Sequence, residues 1–237
     1  MRFRRSLILV LITMLASSLL FKVLFDLQPI PIRYPDAVVQ HNEIPTIQTI
    51  VGDASTDAEI IERLLAYYES NREWLSEQLV EDDPQRLAAL FVMYVVHISK
   101  PYNSTAFPTS MVEFLSLPTA HCGTYSFAQA IMLDAMGIEN RSINVDHGNH
   151  ALIEALIGER WEIFDATTNV WMSGSFDEVM RGADVERRMY YTPALDPTAP
   201  QAYRAQFDDF PAANNSITLR QQEMYWGDRI FLAWGFF

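Results

Sequence analysis

The 237-residue sequence predicts an α+β fold in which a helical first half is followed by an antiparallel sheet. Two observations indicate this order. Apolar residues recur at helical intervals over residues 55–136. Farther along, residues 150–157 and 160–165 have strand character and flank a two-residue turn, as in a β-hairpin. With 49% hydrophobic residues, the chain is long enough to bury one substantial core.

The charge balance narrows the classes of partner. The formal net charge is −13, with 30 acidic against 17 basic residues. A surface that follows a phosphate backbone needs clustered lysine and arginine, so no nucleic-acid partner is expected. The oligomeric state does not follow from composition.

Residues 1–25 predict a membrane-directed segment. Three arginines precede an apolar run from Leu7 to Phe21, which Lys22 interrupts. A span needs about 20 apolar residues, and the run reaches that length if Lys22 extends its amine to the interface. Apolar residues continue to Phe25, which favours an uncleaved single-pass anchor over a cleaved signal peptide. An anchor would keep its N-terminus inside and place the domain outside the cytoplasm, whereas cleavage would secrete the domain.

The rest of the chain divides into three parts. Residues 26–54 contain four prolines and no sustained periodicity, which predicts an extended spacer. The folded domain is expected over residues 55–190. Residues 191–237 predict a proline-marked connection and a final strand or hairpin that packs on this domain.

Capping residues mark where the predicted helices begin. Thr56 and Glu59 have the spacing of a capping box at the start of an amphipathic helix. Asp83, followed by a proline, opens a second helix that is apolar nearly all round and is therefore expected to be buried. A short helix is expected near Ser175.

The sole cysteine, Cys122, lies at the start of a third predicted helix over residues 124–136. The positive end of a helix dipole stabilises a thiolate and lowers the pKa of the cysteine, which prepares sulfur to attack a carbonyl. An inert, buried core cysteine is the alternative, and the helix alone does not decide between the two. His121, directly before it, could line the cleft or perturb the thiolate, but a loop histidine that faces solvent is the favoured prediction.

The predicted hairpin fixes which residues of its two strands lie opposite each other. A two-residue loop would pair Ile157 with Arg160. That register places Leu152 opposite Asp165 and makes His150 a diagonal neighbour on the same face. Imidazole and carboxylate could then meet, whereas a loop of odd length would put them on opposite faces.

A cysteine at a helix start and a His–Asp pair on neighbouring strands supply a nucleophile, a base and a group that orients the base. Three segments resemble parts of the transglutaminase-like superfamily, within the papain-like cysteine fold. HCGTYSFAQAIMLDAMGIENRSINV resembles its cysteine helix and the strand that follows, HALIE its histidine strand, and WEIFDAT its aspartate strand. The order Cys122, His150, Asp165 matches, and the resemblance covers residues 110–171. The chain has GIENR and HAL where family members have Gly-Ile-Pro-Ala-Arg and His-Ala-Trp. The missing tryptophan changes a wall of the cleft and with it the shape of the acyl-binding groove.

The resemblance implies acyl transfer through a thioester on Cys122, with His150 moving the proton and Asp165 holding the imidazole. The backbone N–H of Cys122 is one expected oxyanion donor, and the sequence identifies no second donor. No cofactor is required. Hydrolysis of an extracytoplasmic protein or peptide, as by a peptidase or amidase, is favoured over amine cross-linking.

Two other functions stay open at this stage. A metal site is one, because residues of ligand type occur at Cys122, His147, His150 and Asp165. No paired-cysteine spacing supports a metal, and His147 is also the alternative base. A non-catalytic interaction or assembly module at the membrane is the other, since a fold does not fix a function.

Overall fold

The computed structural model describes residues 37–40, 43–103, 106–145 and 150–191. The predicted signal anchor over residues 1–25 lies outside them, as does the predicted final strand or hairpin beyond Tyr191. Within the described part of the chain, no helix is both long enough and apolar enough to cross a membrane.

The helices of the described residues are α1 (Ile47–Val51), α2 (Asp57–Leu79), α3 (Pro84–Ser99), α4 (Met111–Ser116), α5 (Cys122–Ala135) and α6 (Phe176–Met180). The predicted capping box is confirmed at α2, where the Thr56 side chain accepts from the Glu59 N–H and the Glu59 side chain accepts from the Thr56 N–H. Asp83 caps α3 as predicted, because its carboxylate accepts from two backbone N–H groups of the first turn. The short helix near Ser175 is also confirmed, as α6, and Ser175 is its N-cap.

The strands are β1 (Ala37–Gln40), β2 (Asn140–Val145), β3 (His150–Ile157), β4 (Arg160–Asp165), β5 (Val170–Met172) and β6 (Arg187–Tyr191). They form one sheet in the order β1-β6-β5-β4-β3-β2. The pairs from β2 through β6 are antiparallel, and β1 pairs with β6 in parallel. The α+β prediction, with helices first and a largely antiparallel sheet after them, is confirmed.

The predicted hairpin has the expected register. Ile157 pairs with Arg160 across a two-residue turn, and Ile153 pairs with Phe164 farther along. Gly158 occupies the first turn position with φ of +61°, a conformation that glycine adopts without a steric cost.

The structure corrects part of the spacer predicted over residues 26–54. Both β1 and α1 fall inside this range, and α1 packs its buried Ile47 and Val51 on the core. Thr46 caps α1 through its side-chain oxygen. The folded region therefore begins before Ser55, because a few apolar residues suffice when the rest of the domain supplies the surface that they cover.

The two faces of the sheet are covered differently. One face packs against α3 and α5 in a large apolar cluster that includes Ile153 and Phe164. A smaller cluster on the other face includes Leu152 and Phe176, the first residue of α6. Helix α3 is buried along nearly its whole length, as its apolar sequence predicts. This layering puts α5 directly against the hairpin strands.

A buried charge pair fastens α3 to the sheet. Glu162 on β4 is 3% exposed and accepts two hydrogen bonds from the Arg86 guanidinium, both 2.8 Å long. The Trp171 indole N–H donates to the same carboxylate at 2.8 Å. Because the carboxylate has three donors and little access to water, the pair fixes how the helical layer lies on the sheet.

Candidate active site

Cys122 is the first residue of α5, two positions before the predicted start of that helix at residue 124. The helix ends at Ala135, and Gly137 follows with φ of +71°. The side chain of Cys122 is largely buried and lies at the positive end of the helix dipole.

His121 is not the solvent-facing loop residue that the sequence predicts. Its Nδ1 caps α5 by accepting from the backbone N–H groups of Gly123 at 3.1 Å and Thr124 at 3.3 Å. The Phe107 ring packs beside the imidazole, with 6.0 Å between ring centroids. Burial lowers the pKa of His121, which favours the neutral ring that can act as an acceptor.

The structure brings His150 and Asp165 together at one end of the hairpin. The Nε2 of His150 donates to Oδ2 of Asp165 at 2.9 Å. The two side chains are 9% and 6% exposed, so little water competes for this contact. With Nε2 engaged by the carboxylate, Nδ1 is the ring nitrogen left to face the thiol.

Two further groups hold the Asp165 carboxylate in place. The Thr168 hydroxyl donates to Oδ2 at 2.8 Å, and the Thr167 backbone N–H donates to Oδ1 at 2.9 Å. Sequence reasoning missed both residues, although a signal was present. An aspartate followed two and three residues later by threonine is typical of a turn that bonds back to its own carboxylate.

His150 also lies near the sulfur. The His150 ring lies close enough to lower the pKa of the Cys122 thiol through hydrogen bonding and charge, and the backbone of Ala151 and Gly123 lowers that pKa further. The three sequence-predicted residues therefore lie in one connected chain from Cys122 through His150 to Asp165.

The charges of Cys122, His150 and Asp165 stabilise one another. Burial raises the pKa of the Cys122 thiol, but the hydrogen bond and charge of His150 outweigh burial and leave that pKa below its ordinary value. For His150, burial lowers the pKa, whereas the Asp165 carboxylate and then Cys122 raise it, to about 10. Burial likewise opposes ionisation of Asp165, yet His150 and Thr168 hold its pKa below the usual range. All three shifts act in the same direction, because each stabilises the charged form, a thiolate beside an imidazolium and a carboxylate.

Contacts between elements fix the distance from the helix to the strand. The Gln129 side-chain amide on α5 donates to the Phe164 carbonyl on β4 at 3.0 Å. The His97 ring on α3 bonds through Nδ1 to the carbonyl of Ala166, the residue after Asp165, at 2.8 Å. These bonds attach both helices to the end of β4 that carries the carboxylate. No local sequence pattern predicts them, because each joins residues far apart in the chain.

The alternative metal site gains no donor set from the structure. Among the described residues, no group of three or more histidine, cysteine, aspartate or glutamate side chains is arranged to hold an ion. His147, which the sequence offered as a ligand or as the alternative base, lies outside those residues.

Comparison with known proteins adds little to this geometry. No family model and no curated protein matches the chain. Among solved structures, the chain is similar to one from Cytophaga hutchinsonii that is described provisionally as a cysteine protease, at 20% identity and a TM-score of 0.31. The match covers 42% of this chain and 37% of that one, so this chain spans little more than a third of its length. The transglutaminase-like assignment therefore stays a resemblance carried by the residues themselves.

Proposed function

We propose that the chain is a cysteine-dependent acyltransferase of transglutaminase-like type that acts as a hydrolase on amide bonds. The observation that carries the proposal is the position of His150, which bonds to Asp165 at 2.9 Å on one side and lies near enough to Cys122 on the other to lower the pKa of the thiol. A buried imidazole between a carboxylate and a thiol is the arrangement that activates sulfur as a nucleophile.

The first half of the proposed reaction forms the thioester. The Cys122 thiolate attacks the amide carbonyl carbon, and the π electrons of the carbonyl move to its oxygen. When the tetrahedral intermediate collapses, the C–N bond breaks and the His150 imidazolium gives its proton to the departing amine. Asp165 keeps the imidazole in the required tautomer and stabilises its charged form. An amine leaves and an acyl group stays on sulfur.

The second half releases the acid. Neutral His150 takes a proton from water as the water oxygen attacks the thioester carbonyl. Collapse of the second intermediate breaks the C–S bond, which returns the thiolate beside the imidazolium. We place hydrolysis ahead of transfer to an amine, because water is the most abundant acceptor that can reach the thioester. The proposed substrate is a protein or peptide outside the cytoplasm.

Acylation of the full chain tests the proposal. Purified protein is mixed with p-nitrophenyl acetate, release of p-nitrophenol is followed, and intact mass spectrometry locates the acetyl group. We expect a rapid phase of one acetyl per chain on Cys122, which Cys122→Ala abolishes and His150→Ala slows by about 100-fold or more. Tyr68→Phe, on α2 and away from the site, serves as the control for general handling.

Two outcomes would change the proposal. A wild-type chain that forms no acetyl thioester would remove the enzymatic function and leave the interaction module as the better account. If added methylamine captures the acetyl group faster than water does, the reaction is amine transfer and the hydrolytic assignment is wrong. Product analysis for N-methylacetamide against acetate separates the two.

The proposed location rests on residues 1–25, whose arginines and apolar run predict a signal anchor. A fusion of alkaline phosphatase to the C-terminus reports the location, because that enzyme matures only outside the cytoplasm. We expect active phosphatase in the membrane fraction. Activity in the soluble secreted fraction would indicate a cleaved signal, and an inactive fusion would contradict export.

A further inference from the structure

The hairpin of β3 and β4 opens at the end that carries the candidate site. Within the described hairpin, the ladder runs from the pair Ile157–Arg160 to the pair Ile153–Phe164 and stops there. On its other side, β3 continues in register with β2 as far as His150. The first residues of β3 therefore keep β2 as a neighbour, while β4 separates from them.

The register shows which backbone groups are affected by this opening. In an antiparallel ladder, pairs that exchange two backbone hydrogen bonds alternate with pairs that exchange none. The pair that flanks a two-residue turn is a bonded pair, so the odd-numbered residues of β3 face β4. The even-numbered residues face the other way, since the Leu156 N–H donates to the Glu139 carbonyl at 2.8 Å. The next bonded pair would be Ala151 with Ala166, which lies beyond the point where the ladder stops.

A side chain from α3 bonds to the carbonyl of this open pair. The His97 ring bonds through Nδ1 to the Ala166 carbonyl at 2.8 Å. A carbonyl only accepts, so Nδ1 carries the proton and donates it. Ala166 is buried, and a buried backbone carbonyl without a donor costs about as much as a lost hydrogen bond. His97 therefore stabilises the open form of the hairpin end.

The same bond lies next to the carboxylate of the site. The Gln129 amide on α5 donates to the Phe164 carbonyl at 3.0 Å, and His97 on α3 holds the Ala166 carbonyl at 2.8 Å. These carbonyls belong to the residues on either side of Asp165. Two helices thus fix the backbone before and after Asp165, and the direction of a strand side chain follows from that backbone.

The open pair also suits the nucleophile. The backbone of Ala151, the other member of the pair, lowers the pKa of the Cys122 thiol. In a closed pair the Ala151 N–H would donate to the Ala166 carbonyl instead. Opening therefore favours the thiolate as well as the position of the carboxylate.

We propose that His97 is a positioning residue of the candidate site, which holds the pair of Ala151 and Ala166 open through its hydrogen bond. This inference rests on the proposed function and extends it. With the pair open, Asp165 keeps the position in which its carboxylate meets His150 at 2.9 Å. His97 acts through the backbone at the end of β4 and exchanges no proton in the reaction.

Two replacements of His97 test the proposal on the full chain. His97→Leu removes the donor, whereas His97→Asn keeps an amide N–H at the δ position, and neither replacement titrates. The pH profile of Cys122 alkylation by iodoacetamide and the rate of acylation by saturating p-nitrophenyl acetate are measured. In His97→Leu the profile should move about one unit to higher pH, because a displaced Asp165 stabilises the imidazolium less. Acylation should fall about tenfold or more. His97→Asn should restore both to near wild-type values.

Glu162→Gln is the matched control, because it weakens the other contact between α3 and β4. Arg86 on α3 bonds to Glu162 at 2.8 Å in the half of β4 nearer the turn. Urea unfolding gives the stability of each variant and shows that it is folded in the assay. A residue that only attaches α3 to the sheet should behave as Glu162→Gln, which loses stability while the profile stays at wild type. If His97→Leu does not fold, His97→Phe, which also lacks the donor and keeps a flat ring, replaces it.

The outcomes separate this inference from the proposed function. If His97→Leu keeps the wild-type profile and acylation rate while Cys122→Ala abolishes acylation, the thioester chemistry stands and the role of His97 is wrong. A shift of equal size in His97→Asn or in Glu162→Gln would also overturn the role, because the effect would not come from this hydrogen bond. If the wild type forms no acetyl thioester, the proposed function fails. Alkylation needs only an activated thiol, so its profile still decides the role of His97.

Discussion

Replacing Asp165 by alanine removes the carboxylate on which the candidate site depends. In the structure this carboxylate accepts from His150 at 2.9 Å, from the Thr168 hydroxyl at 2.8 Å and from the Thr167 N–H at 2.9 Å. The Asp165 and His150 side chains are only 6% and 9% exposed. Water therefore cannot replace the lost acceptor without opening the end of the hairpin.

The size of the effect follows from this burial. Breaking a buried ion pair by removing one partner costs about 3–5 kcal/mol, because the remaining charge is left without compensation. That loss is a large share of the about 5–15 kcal/mol by which a domain is stable. Part of this cost is avoided if His150 loses its proton. Burial disfavours the imidazolium, and the Asp165 carboxylate, which stabilised it most, is absent from the variant. The Cys122 thiolate then loses its counter-charge.

Urea unfolding followed by tryptophan fluorescence measures the loss in free energy of unfolding. Asp165→Asn is the matched variant, because it keeps the shape and leaves one oxygen for three donors, for an expected loss of about 1–3 kcal/mol. The deficit of Asp165→Ala should be fully present between about pH 3.8 and pH 6.5. It should shrink as pH falls through the lowered pKa of Asp165, where the wild-type carboxylate is itself protonated, and as pH rises through the raised pKa of His150, about 10, where the wild-type imidazole loses its charge. Equal stability of Asp165→Ala and wild type at pH 7 would refute the buried pair.

Three further changes probe the surroundings of the site. Thr168→Val removes the hydroxyl that holds Asp165 and should slow alkylation of the thiol at pH 7 about fivefold; an unchanged rate would show that this contact does not position the carboxylate. His121→Asn keeps a helix cap that does not titrate. In thermal melts, wild type should lose stability relative to this variant as pH falls below about 6.5, because His121 then gains a proton on unfolding. Parallel pH profiles of the melting temperature would contradict the cap. Glu162→Gln should destabilise the fold by about 3 kcal/mol in urea while the pH profile of alkylation stays unchanged, and a shifted profile would mean that this pair acts on the site.

The sequence predicts those parts of the fold that depend on local chemistry. The register of the hairpin follows from a two-residue turn, because the side chains of a strand alternate with a period of two. The start of α2 follows from the capping-box spacing of Thr56 and Glu59. Neither inference needs knowledge of the rest of the chain.

The segments that depend on distant partners escape sequence reasoning. Strand β1 forms by parallel pairing with β6, which is nearly the whole domain away along the chain. Helix α1 is short and is stabilised by the core that it covers, so its few apolar residues gave no periodic signal. Prolines nearby then favoured an extended interpretation.

In the candidate site, too, some features follow from local sequence and others depend on contacts between distant residues. The pair of His150 with Asp165 was accessible through register, and the link to Cys122 only through the family resemblance. The cap formed by His121 was missed because histidine is not among the residues that usually cap a helix.

The pH dependence of Cys122 alkylation by iodoacetamide, in wild type and in His150→Ala, tests the central claim most directly. We expect the wild-type thiol to react with an apparent pKa below its ordinary value of 9.0, because His150 outweighs the effect of burial. In His150→Ala the effect of burial remains and the opposing charge is gone, so the profile should move to higher pH. Coincident profiles for the two proteins would contradict an activated Cys–His pair.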